Sequence, residues 1–320
     1  MSPASRGGYR PPRRAPRDGS PLLASRGRPG EKPPGRGSPD RRTRPAGVGG
    51  EQVEGRRAVL ELLRAGTRPV HELWVAEGLD PSPQLDEIER LAARRKVRTV
   101  VVPRRRLEAA ARSESPQGVL ARARALDEAD LDTMAEGAPG RPALLLVLDG
   151  VADPHNLGSL LRTAECAGVT GLVLPRHRAV HVTPTVAKVA AGAIEHVPIA
   201  VVPGIPGALA RLSQRGVTVI GLDAEAPMSL YELGAQADDP VALVLGSEGR
   251  GLARLSRKRC RLVVSIPRGG RLESLNVASA GAVACFELAR HRHQRSRPPA
   301  GRAPGGRARA EPVVGVEPTT

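Results

Sequence analysis

The spacing of apolar residues divides the chain into two segments with different patterns. Between residues 50 and 125, short helical and strand patterns alternate. Apolar residues recur at helical spacing in VEGRRAVLELLRAG, which starts at Val53 and ends at Gly66, and again over Gln84–Lys96. The further elements predicted here are strands at Glu72–Glu77, Val97–Pro103 and Gln117–Ala123 and a short helix at Leu107–Arg112. Residues 50–125 are therefore predicted to form a small α/β domain.

The second segment, residues 142–292, begins with a continuous apolar run. ALLLVLDG (Ala143–Gly150) has the pattern of a strand in a parallel sheet that is covered on both faces. Strand-like runs follow at Val169–Leu174, Ile199–Val202, Val217–Leu222, Val241–Leu245 and Leu262–Ile266, with helical patterns between them. This alternation predicts a parallel α/β sheet. Residues 126–141, which are acidic and then contain Gly-Ala-Pro-Gly, are predicted to link the two domains.

The net charge of +16 is concentrated in the two ends of the chain. Residues 1–47 contain 12 Lys and Arg against 3 Asp and Glu, and residues 290–320 contain 7 against 2, which leaves only +2 for residues 48–289. Both ends are rich in Pro, Gly and Arg, so we expect a disordered basic arm over 1–49 and a disordered tail over 293–320. Such arms indicate a polyanionic partner, usually nucleic acid. The alternative is an extension without a specific role.

Composition also limits the compartment and the kind of site. The three cysteines, Cys166, Cys260 and Cys285, form no CxxC pair. Their odd number favours a reducing compartment and argues against a disulfide framework or a zinc site. No apolar run approaches transmembrane length, and no secretory signal follows Met1. We therefore expect a soluble cytoplasmic protein with no metal and no membrane partner.

The first polar motif is DGVADPHNLGSLLRTAECAGV, Asp149–Val169. A buried strand ends at Asp149, and ligands of open α/β sheets bind beyond the carboxyl ends of strands. Asn156 has an ordinary alternative explanation as the cap of the next helix, with Ser159 three residues later. Arg162 could likewise be a plain surface arginine.

The second motif is VALVLGSEGRGL, Val241–Leu252, in which a strand runs into three glycines around Glu248. Gly246, Gly249 and Gly251 would let the backbone approach a ligand closely or adopt positive φ. A plain turn does not need three glycines around one acid, so this motif favours a functional loop. It is neither the Rossmann fingerprint nor a Walker P-loop.

The third motif is IPRGGRLESLNVASAGAVACFE, Ile266–Glu287, a strand followed by a turn and a helix. Ser274 and Asn276 could simply cap the helix. Small residues share one face of that helix, which predicts close packing against other backbone; the positions of this face are Val277, Ala280, Gly281, Ala284, Cys285 and Leu288. Because all three motifs follow apolar strands, we expect one site built from three loops at the sheet edge.

NLGSLLRTAECAG, LVLGSEGRGL and IPRGGRLESLNVASAGA together resemble the three signature motifs of the SpoU (TrmH-type) branch of SPOUT RNA methyltransferases. The resemblance covers residues 144–292, and residues 50–125 resemble the L30e-like substrate-binding domain of a subgroup that methylates the 2′-oxygen of a guanosine in 23S ribosomal RNA. It implies an α/β knot domain (a trefoil-knotted parallel sheet), S-adenosylmethionine as methyl donor, and a homodimer formed near the knot. The chain departs from the family at Ala190, usually Ser, and at Ser115–Gly118, often His-Gln-Gly.

The resemblance also implies roles for particular residues. The polar set implied as catalytic is Asn156, Arg162, Glu248, Ser274 and Asn276, and the donor contacts implied are Gly246, Ile266 and Leu275, with Leu222 and Ser247. Arg162 would orient the ribose hydroxyl and stabilise charge, since an arginine resists deprotonation in proteins. Glu248 would hold Arg162 or Asn156 in place, and Asn276 would fix its loop or contact the substrate. Gly269 and Gly270 would let the chain pass tightly beside the pocket.

Three alternatives stay open from the sequence. The RNA substrate could be transfer RNA, or a ribosomal RNA site whose modification gives antibiotic resistance. A non-catalytic RNA-binding or ribosome-assembly protein would also use basic arms and an L30e-like domain. The complete polar set argues against this last alternative, because a pure binder has no need of it.

Overall fold

The computed structural model describes residues 47–177, 181–272 and 274–296. Most of the predicted basic arm and tail, residues 1–46 and 297–320, lies outside the described residues. Two boundaries of these predictions are wrong. Val48 is buried in the core of the large segment and Gly49 pairs with Val182, so residues 47–49 belong to the folded part. The last helix continues to Ser296, so residues 293–296 are helical.

The first folded segment contains a four-stranded sheet and three helices. The strands are β1 (Gln52–Glu54), β2 (Val70–Ala76), β3 (Arg98–Val102) and β4 (Val119–Ala123), and the helices are α1 (Arg56–Ala65), α2 (Pro83–Arg94) and α3 (Arg104–Ala110). The sheet order is β1-β4-β2-β3. Apolar residues of α1 and α2 pack on one face of the sheet, and Leu107 of α3 packs on the other. The predicted small α/β unit is confirmed.

One strand of this sheet was not predicted. Val53 was assigned to the first helix, but it lies in β1 and pairs with Ala121 of β4. Gly55, at a φ of +92°, separates the strand from α1, because few residues other than glycine adopt that conformation. Helix α1 ends at Gly66 in the left-handed region, as its sequence predicted.

The second segment contains a seven-stranded parallel sheet. Its strands are β5 (Leu144–Asp149), β6 (Gly171–Pro175), β7 (Ile199–Val202), β8 (Thr218–Leu222), β9 (Met228–Ser229), β10 (Val241–Gly246) and β11 (Leu262–Ser265). The strand order is β7-β6-β5-β10-β8-β11-β9, and every neighbouring pair is parallel. Of these, only the two-residue β9 was not predicted. The trefoil knot and the L30e-like topology implied by the resemblance stay predictions.

Helices cover both faces of this sheet. They are α4 (Leu131–Glu136), α5 (Pro154–Cys166), α6 (Pro184–Val189), α7 (Ile205–Gln214), α8 (Arg254–Arg257) and α9 (Val277–Ser296). One apolar cluster joins α5, α6 and α9 to the sheet, and a second joins α4 and α7 to its other face. The burial on both faces that the continuous apolar strands predicted is confirmed.

Helix α4 lies inside the segment 126–141 that was predicted to link the two domains. The carboxylate of Asp130 caps it by accepting a hydrogen bond from the Thr133 backbone N–H at 2.8 Å. Leu131, Met134 and Ala135 are buried against the large sheet. This part of the chain therefore packs on the second segment.

Helix α9 packs closely on its neighbours through the small residues noted in the sequence. A Cβ at Gly281 would lie 2.4 Å from Leu160 Cδ2 and 2.8 Å from Leu245 Cδ1. The close packing is therefore confirmed, but against side chains of α5 and β10 rather than backbone. Cys285 is on the same face, and burial raises the pKa of its thiol to about 12. Within the described residues, no helix is both long and apolar enough to cross a membrane.

A buried ion pair connects the two segments. The Arg68 guanidinium donates to both carboxylate oxygens of Glu195, at 2.6 and 3.0 Å. It also donates to the backbone oxygens of Gly50 and Arg124. The two paired side chains are 2% and 0% exposed. Two parallel charged hydrogen bonds fix geometry as well as distance, so this pair holds the small sheet in one position against the large one.

Candidate active site

A cavity of about 480 Å³ lies at the carboxyl edge of the large sheet. The loops after β8, β10 and β11 and the first turn of α9 line it. All five residues expected to contact the methyl donor are in this lining: Leu222, Gly246, Ser247, Ile266 and Leu275. Its volume is in the range of small-molecule sites.

The loop after β10 is a tight turn that presents Glu248. Ser247 and Gly251 exchange two backbone hydrogen bonds of 3.1 and 3.0 Å. Gly249 and Gly251 have positive φ, and a Cβ at Gly246 would lie 2.1 Å from the backbone carbon of Gly251. The positive φ expected for these glycines is confirmed at Gly249 and Gly251, and the close approach seen at Gly246 is to the backbone of the turn; close approach to a ligand stays a prediction.

Glu248 connects the three motifs through two asparagines. Its Oε1 accepts hydrogen bonds from Asn156 Nδ2 at 2.5 Å and from Asn276 Nδ2 at 2.9 Å. Asn276 Nδ2 also donates to Asn156 Oδ1 at 3.1 Å. Residues 92 and 120 positions away from Asn156 are thus in direct contact with it. The expectation that the three loops meet at one place is confirmed.

The capping explanation is wrong for Asn156 and correct for Asn276. Asp153 caps α5 by accepting from the His155 backbone N–H, so Asn156 lies inside the first turn and its amide is available to Glu248. Asn276 Oδ1 accepts from the backbone N–H groups of Ala278 and Ser279 at the start of α9. Asn276 therefore caps a helix with one amide atom and joins the site with the other.

The remaining polar residues are more dispersed. Ser274 lines the cavity without a hydrogen bond to any described residue. Arg162 is exposed on α5, lines neither this cavity nor its neighbour, and pairs with no described carboxylate. The suggestion that Glu248 holds Arg162 is therefore wrong, and the alternative, Asn156, is what Glu248 contacts. A Cβ at Gly269 or Gly270 would meet nothing within 4 Å, so the tight passage expected at these glycines is also wrong.

The sequence reasoning missed several charged residues of the cavity. Asp223, Glu225, Arg250 and Arg268 line it. Arg268 donates to the backbone oxygen of Ala224, and Arg257 pairs with Asp223. Asp223 directly follows β8, so its place after a parallel strand could have revealed it. In the part of the chain that the structure describes, no cluster of three or more metal-binding side chains occurs.

A second cavity, of about 1030 Å³, meets the first at the turn after β10. Both are lined by Ser247, Glu248, Arg250 and Gly251, and Asn156 lines only the second. The hydrogen-bonded carboxylate of Glu248 thus lies between the two cavities. A small molecule in one cavity and a second reactant in the other would meet at this turn.

Two family models match the chain over both segments. Residues 143–286 match the SpoU rRNA Methylase family, and residues 52–136 match the RNA 2′-O ribose methyltransferase substrate-binding family. A protein named 23S rRNA (guanosine-2′-O-)-methyltransferase RlmB from Ralstonia nicotianae is 43% identical over 236 residues, which are 73% of this chain and 93% of the relative. The chain belongs to the SpoU rRNA methylase family.

A further sequence relative and two solved structures are similar to this chain. A Bacillus subtilis protein named putative TrmH family tRNA/rRNA methyltransferase YacO is 36% identical over 76% of this chain and 96% of its own length. The SpoU methyltransferase AviRb of Streptomyces viridochromogenes, solved in complex with AdoMet, has the same fold, with a TM-score of 0.64, 24% identity, and coverage of 76% of this chain and 90% of that one. A TrmH-family structure from Porphyromonas gingivalis has a TM-score of 0.62 and 28% identity, over 75% of this chain and 89% of that one.

Proposed function

We propose that this protein transfers a methyl group from S-adenosylmethionine to the 2′-oxygen of a guanosine ribose in 23S ribosomal RNA. The main support is the contact of Asn156, Glu248 and Asn276 at the edge of a cavity that all five expected donor residues line. Relatives that bear the matching name, from Ralstonia nicotianae and from Pseudomonas aeruginosa at 40% identity, support the substrate. Their names favour ribosomal over transfer RNA.

The 480 Å³ cavity suits S-adenosylmethionine in size and in chemistry. Its lining combines apolar side chains with the carboxylates Asp223, Glu225 and Glu248 and the guanidinium groups Arg250 and Arg268, and such a mixed lining suits a ligand that carries both positive and negative groups. Gly246 lines the cavity at the end of β10, so its backbone groups are within reach of a ligand. S-adenosylmethionine supplies a methyl group on a sulfonium, which an oxygen nucleophile can take up.

The residues of this chain would position the ribose hydroxyl and stabilise charge as its proton leaves. Glu248 fixes the amides of Asn156 and Asn276, and preorganised polar groups lower a barrier because they do not reorganise during the reaction. Ser274 lines the cavity beside Asn276 and could donate to a substrate oxygen. We keep Arg162 as a charge-stabilising residue because the family resemblance implies that role; its guanidinium is exposed and lines neither cavity.

A homodimer is the second part of the proposal, and α9 supports it. Phe286 is 50% exposed on this helix, and Ala282 and Val283 are only partly buried beside it. A large exposed aromatic next to small apolar residues is typical of an interface. Sedimentation equilibrium of the purified protein tests this, and a monomer mass at micromolar concentration would contradict it.

The reaction is tested by product analysis. The purified protein is incubated with S-adenosylmethionine and undermethylated large-subunit RNA, and the nucleosides of the digested RNA are identified by mass spectrometry. We expect 2′-O-methylguanosine with the wild type and none with Asn156→Ala or Arg162→Ala. A different 2′-O-methylnucleoside would show that the enzyme modifies a nucleoside other than guanosine. If the protein binds S-adenosylmethionine but forms no methylated nucleoside, the proposed RNA substrate is wrong. Full activity of both variants would overturn the site.

A further inference from the structure

Trp74, the only tryptophan of the chain, lies on the small sheet in an unusual environment. It is in β2 with its side chain on the face opposite α1 and α2, since its neighbours Leu73 and Val75 belong to the cluster of those helices. Leu107 of α3 covers part of Trp74's own face. The indole itself is only half-buried, so part of a large aromatic ring is open to solvent.

Two arginines from different elements lie over this ring. The guanidinium carbon of Arg106, on α3, is 5.1 Å from the ring centroid, and that of Arg122, on β4, is 5.0 Å away. These distances are typical of cation–π contacts. Both arginines are exposed, and neither forms an ion pair or a side-chain hydrogen bond with a described residue. Their charges are therefore available to an anionic partner.

Glu72 orients the indole without neutralising the cluster. Its Oε2 accepts a hydrogen bond from Trp74 Nε1 at 2.7 Å, which fixes the ring edge. Its Oε1 lies 3.5 Å from the Arg98 guanidinium on β3. Three positive charges, those of Arg98, Arg106 and Arg122, therefore lie around the indole ring. Among the described residues, Glu72 is the carboxylate that contacts this group. The surface is cationic and aromatic at once.

This combination suits unpaired RNA. Single-stranded nucleotides are bound by stacking bases on aromatic rings or guanidinium planes while cations contact the phosphates. Double-stranded RNA presents no free base face to such a surface. The substrate-binding family model covers residues 52–136, which include every residue of this cluster.

We propose that Trp74, Arg106 and Arg122 form a stacking surface that binds an unpaired nucleotide of the RNA substrate. The proposal rests on the proposed function, because it locates where the same RNA is held outside the methyl-transfer site. An RNA held there would span from the small sheet to the cavity of the large one. The buried Arg68–Glu195 pair is one of the contacts that join the two segments along this span.

Trp74 itself reports on the proposal, because stacked bases quench tryptophan emission and no other tryptophan contributes. The full-length protein is titrated with an unlabelled, unstructured oligouridylate while emission is recorded, and affinity is measured separately by anisotropy of a labelled copy. We expect saturable quenching with the same dissociation constant as the anisotropy. An abasic oligoribonucleotide of equal length should bind without quenching. Binding of oligouridylate without quenching, equal quenching by duplex RNA, or no binding would each overturn the proposal.

Variants separate the surface from the fold and from the reaction. Arg122→Gln should raise the dissociation constant and the KM for RNA roughly tenfold, with kcat and S-adenosylmethionine affinity unchanged. Arg90→Gln, an exposed arginine on α2 at the other face of the sheet, is the matched control and should change affinity by less than about twofold. If Arg122→Gln and Arg90→Gln weaken RNA binding equally, the effect reflects only the loss of a positive charge, and the proposed stacking surface is wrong.

The two proposals can fail independently. Methyl transfer to RNA without quenching of Trp74 would overturn the stacking surface and leave the proposed reaction standing. Quenching and binding without methyl transfer would support the surface and count against the reaction. Trp74→Leu, which keeps apolar volume in the partly covered site, should lose affinity like Arg122→Gln; unchanged affinity in this folded variant would also overturn the surface.

Discussion

The two amide atoms of Asn276 make different contacts, and this division shows how one residue can serve the fold and the site. Its Oδ1 accepts from the first N–H groups of α9, and its Nδ2 donates to Glu248 and Asn156. A cap of this kind stabilises a helix by about 1 kcal/mol. Asn276 therefore has both roles that the sequence suggested: it caps helix α9 and it belongs to the polar group of the site.

The two roles of Asn276 can be separated by substitution. Asn276→Asp keeps an oxygen for the cap but places a carboxylate next to Glu248, whereas Asn276→Ala loses both contacts. We expect Asn276→Asp to keep the cap but to lose stability at neutral pH, because its carboxylate repels Glu248, and Asn276→Ala to lose about 1 kcal/mol with the cap. Both should slow methyl transfer roughly a hundredfold at neutral pH.

The pH dependence of Asn276→Asp gives a sharper test. Two adjacent carboxylates raise the pKa of the pair, so the pair takes up a proton as the pH falls. The protonated pair has a donor again, so the ratio of the Asn276→Asp rate to the wild-type rate should rise as the pH is lowered. The ratio for Asn276→Ala should stay flat. Parallel profiles for the two variants would contradict the contact with Glu248.

At the scale of elements, helix α9 is positioned by the small residues on one of its faces. Gly281 contacts Leu160 of α5 and Leu245 of β10, so the helix lies close to both. The same packing places Val277 and Ala280 in the wall of the cavity. Helix packing and cavity shape therefore depend on the same few small residues.

A pair of glycine substitutions tests this packing. Gly281→Ala should destabilise the fold by about 1–3 kcal/mol, because its Cβ would overlap Leu160. Gly207→Ala, in helix α7, meets nothing within 4 Å and should instead stabilise by about 0.5–1 kcal/mol through helix propensity. Both free energies of unfolding can be measured in urea. A stabilised Gly281→Ala protein would show that α9 packs more loosely than described.

At the scale of the whole molecule, one buried ion pair connects the substrate-binding segment to the catalytic segment. Arg68 lies between α1 and β2, and Glu195 lies in the turn after α6. Because the pair is buried, removal of one partner would leave the other charge unpaired in the protein interior, which destabilises the fold. If RNA binds the small sheet as proposed, this contact contributes to the distance between that RNA and the cavity.

Removing Arg68 should be costly. Arg68→Met leaves the Glu195 carboxylate buried without its partner, and we expect a loss of about 3–5 kcal/mol in the free energy of unfolding. Arg64→Met is the matched control: Arg64 pairs with Glu61 and Glu87 at the surface, and its loss should cost at most about 1 kcal/mol. Urea unfolding of both variants checks the difference, and similar losses would show that the buried pair is not a structural link.

The sequence by itself determined the elements and the family of this protein. Apolar runs such as Ala143–Gly150 predict strands because burial on both faces requires apolar residues throughout, and that rule is local. The three motifs also predicted a shared site, because parallel strands end at one edge of a sheet. Short elements were not predicted: β1 and α4 contain too few residues to show a clear periodicity of apolar positions.

Only the tertiary structure decided which side chains meet. Arg68 and Glu195 are 127 positions apart, and no local pattern identifies them as partners. The same holds for the choice of Glu248 between Arg162 and Asn156, and for the approach of Arg106 and Arg122 to Trp74. Contacts between distant residues depend on the path of the whole chain, whereas periodicity reports only how each short segment is buried.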